Sequence, residues 1–370
     1  MYEKTNKLWD FELGENEMWI YDKIHFDDLN TIVKNNNIPW SVLDGKTIFV
    51  TGATGLIGQN IVNTLLYYGK LTKKPPKVIA LVRNIEKAKL IFSQQLEDCD
   101  TYLRFVVSDI TSYFEIEEKI DYIIHGASET SSASFIEKPV ETIDTAFFGT
   151  KNMLELARKH NVTSFVYLSS MEAYGSPKIE NSLKESDAAY FDSMSVRSSY
   201  PESKRMCETL CCAYTSEYNV PVKVVRLAQT FGYGISKDDK RVFADFARKA
   251  IKGEDILLLT RGESKRMYLY TMDAVSAILM IMLKGENGNC YNAANKDTYC
   301  TIKEMAKLVL KTLSTSDSKI IINCDDTGNK KYSPEHDLNL DVSKLERLNW
   351  KAYINLENMY KKMAEGLKDV

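Results

Sequence analysis

This chain of 370 residues has little that would send it to a membrane, to nucleic acid or to a secretory pathway. Its longest apolar run, Ala277 to Leu283, is far shorter than the roughly 20 residues that span a bilayer. The N-terminus has neither a basic stretch nor an apolar stretch, so the sequence predicts no secretory signal. A formal net charge of -3 predicts no general attraction to nucleic acid or to an anionic membrane surface.

Cysteine pairs of the kind that bind metals are also missing. The 7 cysteines lie mostly in apolar or helical segments, without Cys-x-x-Cys pairs near histidines. The sequence therefore predicts no metal site, and a reduced, cytoplasmic compartment is expected. Cys207 and Cys211 share a helical face by their spacing, which is typical of small buried residues rather than of a redox pair.

Residues 1 to 45 precede the first core strand and are rich in aromatic residues, among them Trp9, Phe11 and Trp19. Such aromatic density is not typical of a disordered tail. We expect an N-terminal arm that packs on the core or on a second subunit, with a short helix from Asp27 to Asn35.

The stretch from Lys46 to Leu66, KTIFVTGATGLIGQNIVNTLL, organises the rest of the chain. Its first residues form an unbroken apolar run that predicts a buried parallel strand, and the later leucines and isoleucines recur at helical spacing. Between the strand and the helix lie Gly52, Gly55 and Gly58. Glycines placed in this way allow a tight turn, close approach of the backbone to a pyrophosphate and close packing of the helix.

Further apolar segments alternate with helical patterns as far as Ser169, which predicts an α/β fold with a doubly wound parallel sheet. Ligands of such sheets bind at the carboxyl ends of the strands. The expected strands are Lys46 to Val50, Val78 to Val82, Leu103 to Val107, Asp121 to His125, Ser164 to Ser169 and Val222 to Leu227.

Three motifs together resemble the extended short-chain dehydrogenase/reductase family, whose members act on nucleotide sugars with NAD or NADP. The first is Thr51 with the Gly-x-x-Gly-x-x-Gly spacing, the second is Ser169-Ser170 followed by Tyr174-Gly175, and the third is Tyr200-x-x-x-Lys204. The resemblance implies a Rossmann core over 46–234 and, mainly over 235–370, a smaller C-terminal substrate-binding lobe. It also implies the cofactor-binding residues Gly52, Thr54, Gly55, Leu56, Ile57, Gly58, Arg83, Asp109, Ile110, Ala127, Tyr200 and Lys204.

Tyr200 and Lys204 lie four residues apart, so on a helix they share one face. A nearby ammonium group stabilises a phenolate, and this predicts a pKa for Tyr200 below its usual value of about 10. The resemblance implies that Tyr200 is the general base on a sugar hydroxyl and that Ser170 hydrogen-bonds the same oxygen. It further implies that Lys204 holds the nicotinamide ribose.

Arg83 follows the second expected strand, at the point where an acidic residue would bind the ribose 2′-hydroxyl of NAD. A guanidinium group there suits a 2′-phosphate, so NADP is favoured over NAD.

Glu172 and Met171 bear on the reaction. In the sugar 4,6-dehydratases of the family an Asp-Glu pair stands at these two positions, and the thioether of Met171 cannot donate the proton that dehydration needs. We therefore expect a 4-epimerase acting through a transient 4-keto sugar, with Glu172 as a fourth catalytic residue. Glu172 either orients the substrate or exchanges a proton next to the ketone, and the alternative is that it only caps a loop. A nucleotide-sugar decarboxylase of the UDP-glucuronate type is the second interpretation, and an NADPH-dependent 4-keto-sugar reductase is the third.

Gln229, Arg241 and Arg266 match positions at which the family binds the nucleotide diphosphate of its substrate. Two guanidinium groups can form charge-assisted, bidentate bonds to phosphates. The resemblance also implies a homodimer. Asp273 is expected to cap a helix that continues to Leu283, which is a structural role.

Overall fold

In the computed structural model, the described residues are 23–99, 101–130, 134–177, 181–323 and 337–367. The first half of the expected N-terminal arm therefore lies outside the described residues. The strands are β1 (Thr47–Thr51), β2 (Lys77–Val82), β3 (Leu103–Val107), β4 (Tyr122–His125), β5 (Ser164–Ser170), β6 (Val222–Leu227), β7 (Gln229–Phe231), β8 (Ile256–Leu258), β9 (Lys265–Tyr270), β10 (Asn289–Ala293), β11 (Asn295–Thr301), β12 (Ile320–Ile322) and β13 (Asp337–Leu338).

Helices cover both faces of the main sheet. The α-helices are α1 (Lys23–Val33), α2 (Leu56–Leu71), α3 (Ile85–Ile91), α4 (Ser93–Cys99), α5 (Ser134–Glu137), α6 (Pro139–His160), α7 (Ser199–Tyr218), α8 (Val242–Lys252), α9 (Thr271–Lys284), α10 (Ile302–Leu313), α11 (Ser343–Glu346) and α12 (Leu356–Glu365). Short 3-10 helices span Trp40–Leu43, Met171–Tyr174 and Val196–Ser198.

In the described part of the chain, seven strands form one parallel sheet in the order β10-β6-β5-β4-β1-β2-β3. The predicted doubly wound parallel sheet is therefore confirmed. Successive side chains of a strand point to opposite faces. Ile48 and Val50 accordingly pack in the core cluster that includes α2 and α9, whereas Phe49 packs in the cluster beneath α6 and α7.

The C-terminal half of the chain adds two smaller sheets. Strand β9 pairs with β11 on one side and with β7 and β13 on the other, while β8 pairs with β12. Because β7 follows β6 after a single residue, this pairing joins the lobe to the carboxyl end of the main sheet.

Helix α1 packs against α2 and α9, so residues 23–33 of the expected arm lie on the core. Asp273 is not the N-cap of α9, because Tyr270 occupies that position and the helix begins at Thr271. The carboxylate of Asp273 instead accepts hydrogen bonds from the backbone N–H groups of Tyr353 and Ile354, at 3.1–3.2 Å. No helix within the described ranges is both long and apolar enough to cross a membrane.

Candidate active site

The glycine loop between β1 and α2 is held by backbone packing at two of its three glycines. Gly52 has a φ of +68°, and a Cβ atom there would lie 2.7 Å from the carbonyl carbon of Gly126. A Cβ at Gly58 would lie 2.1 Å from the carbonyl oxygen of Gly52. Gly55 differs, because it is exposed and its Cβ would meet only that same oxygen, at 3.3 Å. The fold thus requires Gly52 and Gly58, while Gly55 leaves the outer face of the loop open.

The start of α2 provides donors for an anion. Gly55 occupies its N-cap position, and no side chain caps this end of the helix. The first N–H groups of a helix carry a partial positive charge and bind phosphates. Thr54, Leu56 and Ile57, all half-buried, border Gly55 in this loop.

Thr51 ties the glycine loop to the next strand. Its hydroxyl oxygen accepts hydrogen bonds from the N–H groups of Gly126 and Ala127, at 3.1 and 3.0 Å. The hydroxyl proton is then directed to Nδ1 of His125 at 2.8 Å, and Nε2 of His125 donates to the hydroxyl of Thr150 at 3.1 Å. Burial, together with the charge of Lys204, lowers the pKa of His125 to about 3. His125 is therefore a neutral scaffold residue and not a general base.

Arg83 and Asp109 lie at the carboxyl ends of two neighbouring strands, β2 and β3, and both are exposed. Hydrogen bonds from Thr111 lower the pKa of Asp109, and the charge of Arg83 adds to this effect. Ile110 is buried beneath α6, where a Cβ at Gly149 would lie 2.9 Å from its Cγ2 atom. These residues therefore lie at the carboxyl ends of the strands, on the same edge of the sheet as the glycine loop.

Tyr200 lies near the start of α7 and is 8 % exposed. Its ring stacks on Phe135 of α5, with centroids 4.3 Å apart and planes 7° from parallel. Burial and the charge of Glu172 raise the pKa of the phenol, while a hydrogen bond with Ser170 and the charge of Arg241 act in the opposite direction. The structure therefore brings Tyr200, Ser170 and Glu172 together, as expected from their order in the sequence.

Lys204 lies one turn further along α7, and its ammonium group donates a hydrogen bond to the backbone rather than to the phenol of Tyr200. Nζ donates to the carbonyl oxygen of Leu168 at 2.8 Å and lies 5.6 Å from the centroid of the Tyr200 ring. Burial lowers the pKa of Lys204 to about 8. The expected decrease in the pKa of Tyr200 is absent from this structure, because desolvation of the phenol dominates.

Glu172 is exposed near Tyr200, and its backbone N–H donates to the Ser170 hydroxyl at 3.2 Å. Protein atoms nevertheless surround the carboxyl group, and this desolvation raises its pKa. The guanidinium groups of Arg266 and Arg197 oppose the increase. The charges of Glu172 and Arg241 thus act on the phenol, while those of Arg266 and Arg197 act on Glu172.

The three residues expected to bind the substrate lie in the strands and loops next to this cluster. Nη1 of Arg266 donates to Oε1 of Gln229 at 3.4 Å, across the β7–β9 pair. Nε of Arg266 is buried without a hydrogen-bond partner among the described residues. Arg241 forms an ion pair with Asp239, and its charge reaches Tyr200.

Sequence comparison identifies the family. The NAD dependent epimerase/dehydratase family matches residues 48–294. The chain belongs to this family. The UDP-glucuronic acid decarboxylase 1 of Danio rerio is 30% identical over 278 residues, which are 75% of this chain but only 63% of that protein. The UDP-N-acetyl-alpha-D-glucosaminuronate decarboxylase of Bacillus cytotoxicus is 29% identical over 278 residues, or 75% of this chain and 83% of that one.

Solved structures of the family share the fold. The crystal structure of a UDP-glucose 4-epimerase from Thermotoga maritima superposes with a TM-score of 0.71 at 23% identity, covering 87% of this chain and 99% of the other.

The family's nicotinamide dinucleotide fits the residues of this site. The uncapped start of α2 and the open face at Gly55 suit a pyrophosphate, and the small residues after β4 leave room for the backbone to approach it. Within the described ranges, no group of three or more His, Cys, Asp or Glu side chains could hold a metal ion.

Two residues that lie near the cluster were not among the predicted site residues. Phe135 lies in a segment without clear periodicity, so nothing in the sequence pointed to its stacking on Tyr200. Arg197 stands only three residues before Tyr200 in the sequence, and this short separation is the signal that could have indicated its place near the site.

Proposed function

We propose that this chain oxidises C4 of a nucleotide-diphosphate sugar and that the transient ketone then loses carbon dioxide from a 6-carboxylate. The observation that carries the proposal is the cluster of Ser170, Glu172 and Tyr200, in which the Glu172 N–H donates to the Ser170 hydroxyl and the charge of Arg197 acts on the Glu172 carboxylate. The guanidinium group of Arg197, which is not assigned to the diphosphate, can orient a substrate carboxylate there. The likeness to decarboxylases named for UDP-glucuronic acid and for UDP-N-acetyl-glucosaminuronate supports the same reaction.

The residues would divide the chemistry as follows. A dinucleotide held at the glycine loop and by Lys204 would supply the acceptor, and later the donor, for the hydride of C4. Tyr200 removes the proton of the C4 hydroxyl, and the Ser170 hydroxyl hydrogen-bonds the same oxygen as it becomes a carbonyl. The ketone is β to the 6-carboxylate, so the C5–C6 bond breaks to release carbon dioxide, and the electron pair moves into a C4–C5 enolate. A proton added at C5 restores the ketone, which Tyr200 reprotonates when hydride returns.

Lys204 would hold the ribose of the dinucleotide, and Gln229, Arg241 and Arg266 the diphosphate of the sugar nucleotide. In this arrangement residues from 235 onward form most of the substrate-binding lobe. The thioether of the buried Met171 disfavours loss of water at C6.

Arg83 supports a preference for NADP over NAD. It is exposed at the end of β2, and its charge already acts on Asp109 of the neighbouring strand end. A 2′-phosphate at this position would gain a charge-assisted bond.

We also propose that the chain forms a homodimer through α6 and α7, which pack against each other. Val140, Ile143 and Phe148 of α6 and Met206 of α7 are exposed apolar residues, and they would be covered in a dimer. Light scattering coupled to gel filtration gives the mass that tests this assembly.

The test is a panel of nucleotide sugars, with and without a 6-carboxylate, incubated with NAD⁺ or NADP⁺ and resolved by mass. We expect a product lighter by one carbon dioxide from a nucleotide uronic acid, and no such product with Tyr200→Phe. A product of unchanged mass but altered retention would instead establish the 4-epimerase interpretation of the sequence. Loss of water would contradict the role given to Met171.

A further inference from the structure

Tyr270, the last residue of β9, supports the segment that follows Gln229. Strand β7 pairs with β9 so that Phe231 stands opposite Tyr270. The tyrosine ring fills the space beside Gly232, where a Cβ atom would lie 2.4 Å from its Cε2 atom. The backbone N–H of Tyr233 donates to the Tyr270 hydroxyl. One side chain therefore fixes two successive residues of this segment.

Asp28 of α1 holds Tyr270 from the other side. The hydroxyl of Tyr270 donates to Oδ2 of Asp28, while Nζ of Lys362 in α12 lies 2.7 Å from Oδ1. Both Asp28 and Tyr270 are buried. Because the phenol proton points to the carboxylate, a lone pair of the phenol oxygen remains for the N–H of Tyr233.

Both terminal helices also enclose Tyr233 itself. The ring of His25, in α1, lies 6.1 Å from the ring of Tyr233. A Cβ atom at Gly366, just after α12, would lie 3.5 Å from Cε2 of Tyr233, which is ordinary van der Waals distance. The backbone after β7 is thus packed between the two ends of the described chain.

The same segment leads directly to the proposed substrate groups. Gln229 starts β7, and Arg266 in β9 donates to its side chain at 3.4 Å. A displacement of Tyr270 would move β7 and β9 together, because the two strands are hydrogen-bonded from Gln229 to Phe231. Asp28 lies outside residues 48–294, which match the family.

We propose that Asp28 is a positioning residue for substrate binding, acting through Tyr270 on the backbone of residues 229–234. This inference rests on the proposed function, because it assigns the nucleotide diphosphate to Gln229 and Arg266. Helix α1 would therefore influence binding of the substrate, whereas the glycine loop binds the cofactor.

The experiment measures binding by titration calorimetry and stability by thermal unfolding. The variants are Asp28→Ala and Tyr270→Phe, with Asp27→Asn as the matched control, since Asp27 is exposed on the same helix. UDP, dTDP, CDP and GDP are first tested on the wild-type protein, and the one that binds is used as the probe for the variants. NADP⁺ is the second probe. We expect both test variants to lose about tenfold in nucleoside-diphosphate affinity, which is the effect of about one charge-assisted hydrogen bond. NADP⁺ affinity should stay within about twofold in all three variants.

A folded variant with a lower melting temperature but wild-type affinity for the nucleoside diphosphate would overturn the proposal, because a merely structural contact gives that result. If Asp28→Ala does not fold, Tyr270→Phe decides, since it keeps the ring and the Asp28–Lys362 pair. If the wild-type protein binds none of the four nucleoside diphosphates, the proposed function itself fails. If only the positioning role fails, the wild-type protein still binds a nucleoside diphosphate. The two failures can therefore be distinguished.

Discussion

Substitution by alanine should lower dinucleotide affinity at Gly55 but lower the stability of the fold at Gly58. In Gly55→Ala the new methyl group would lie 3.3 Å from the Gly52 carbonyl oxygen, a contact that a shift of a few tenths of an ångström relieves. The backbone there has φ −85° and ψ 168°, which alanine adopts readily. In Gly58→Ala the methyl group would lie 2.1 Å from the same oxygen, and that oxygen belongs to the backbone.

The magnitudes follow from these contacts. Gly55→Ala should change the free energy of unfolding by less than about 1 kcal/mol. The methyl group nevertheless projects onto the open face of the loop that we expect to hold the pyrophosphate. Loss of about one or two charge-assisted bonds there lowers dinucleotide affinity by about 10- to 100-fold. Gly58→Ala forces the loop and helix apart and should cost about 1–3 kcal/mol of stability or more.

Titration calorimetry with NAD⁺ and NADP⁺, together with chemical denaturation, measures both effects. The expected pattern is a stable Gly55→Ala protein that binds dinucleotide weakly and a destabilised Gly58→Ala protein. Unchanged dinucleotide affinity in folded Gly55→Ala would refute the assignment of this loop to the cofactor.

Four further changes have defined outcomes. Tyr200→Phe keeps the ring on Phe135 but removes the proposed base, so kcat should fall by about 10²–10⁴-fold with little change in nucleotide affinity, as followed by product formation. Glu172→Gln removes a charge that raises the pKa of Tyr200, so the acidic limb of kcat/KM against pH should move to lower pH. Burial raises the pKa of Asp273 to about 7, so folding takes up a proton between about pH 4 and 7 and stability falls as pH rises through this range. Asp273→Asn has no proton to take up and should therefore lose this decrease in stability between about pH 4 and 7, as followed by chemical denaturation. Arg83→Ala should weaken NADP⁺ about tenfold and leave NAD⁺ unchanged in calorimetry.

Each of these outcomes has a contrary result. Full activity of Tyr200→Phe would remove the tyrosine from the chemistry. If the acidic limb of kcat/KM against pH does not move in Glu172→Gln, the Glu172 carboxylate does not influence the pKa of Tyr200. The same decrease in stability with pH in wild type and Asp273→Asn would mean that Asp273 is not the group that takes up the proton. Equal losses for both dinucleotides in Arg83→Ala would exclude contact with a 2′-phosphate.

Six of the seven strands of the main sheet could be predicted because their signals are local, whereas β10 was not among the expected strands. The strands Leu103–Val107 and Val222–Leu227 have the predicted bounds, since each is a short run of mainly apolar residues. The lobe could not be derived in this way, because β7, β9 and β13 meet across long stretches of sequence. No periodicity reveals such pairings.

Contacts over long separations also limit what the sequence gives about the site. The spacing of Tyr200 and Lys204 predicted a shared helical face, but the direction of the ammonium group depends on the carbonyl of Leu168 in a strand 36 residues earlier. Asp273 looked like a helix cap, yet its partners lie 80 residues away at Tyr353. Burial then sets the pKa of each group, and a sequence shows burial only indirectly.

The most direct test of the account is to run the reaction of a nucleotide uronic acid in D₂O and analyse the product by mass spectrometry and NMR. Because the enolate left by loss of carbon dioxide takes its proton from solvent, we predict a decarboxylated sugar with one deuterium at C5. A 4-epimer that keeps its carboxylate and carries no deuterium would contradict decarboxylation.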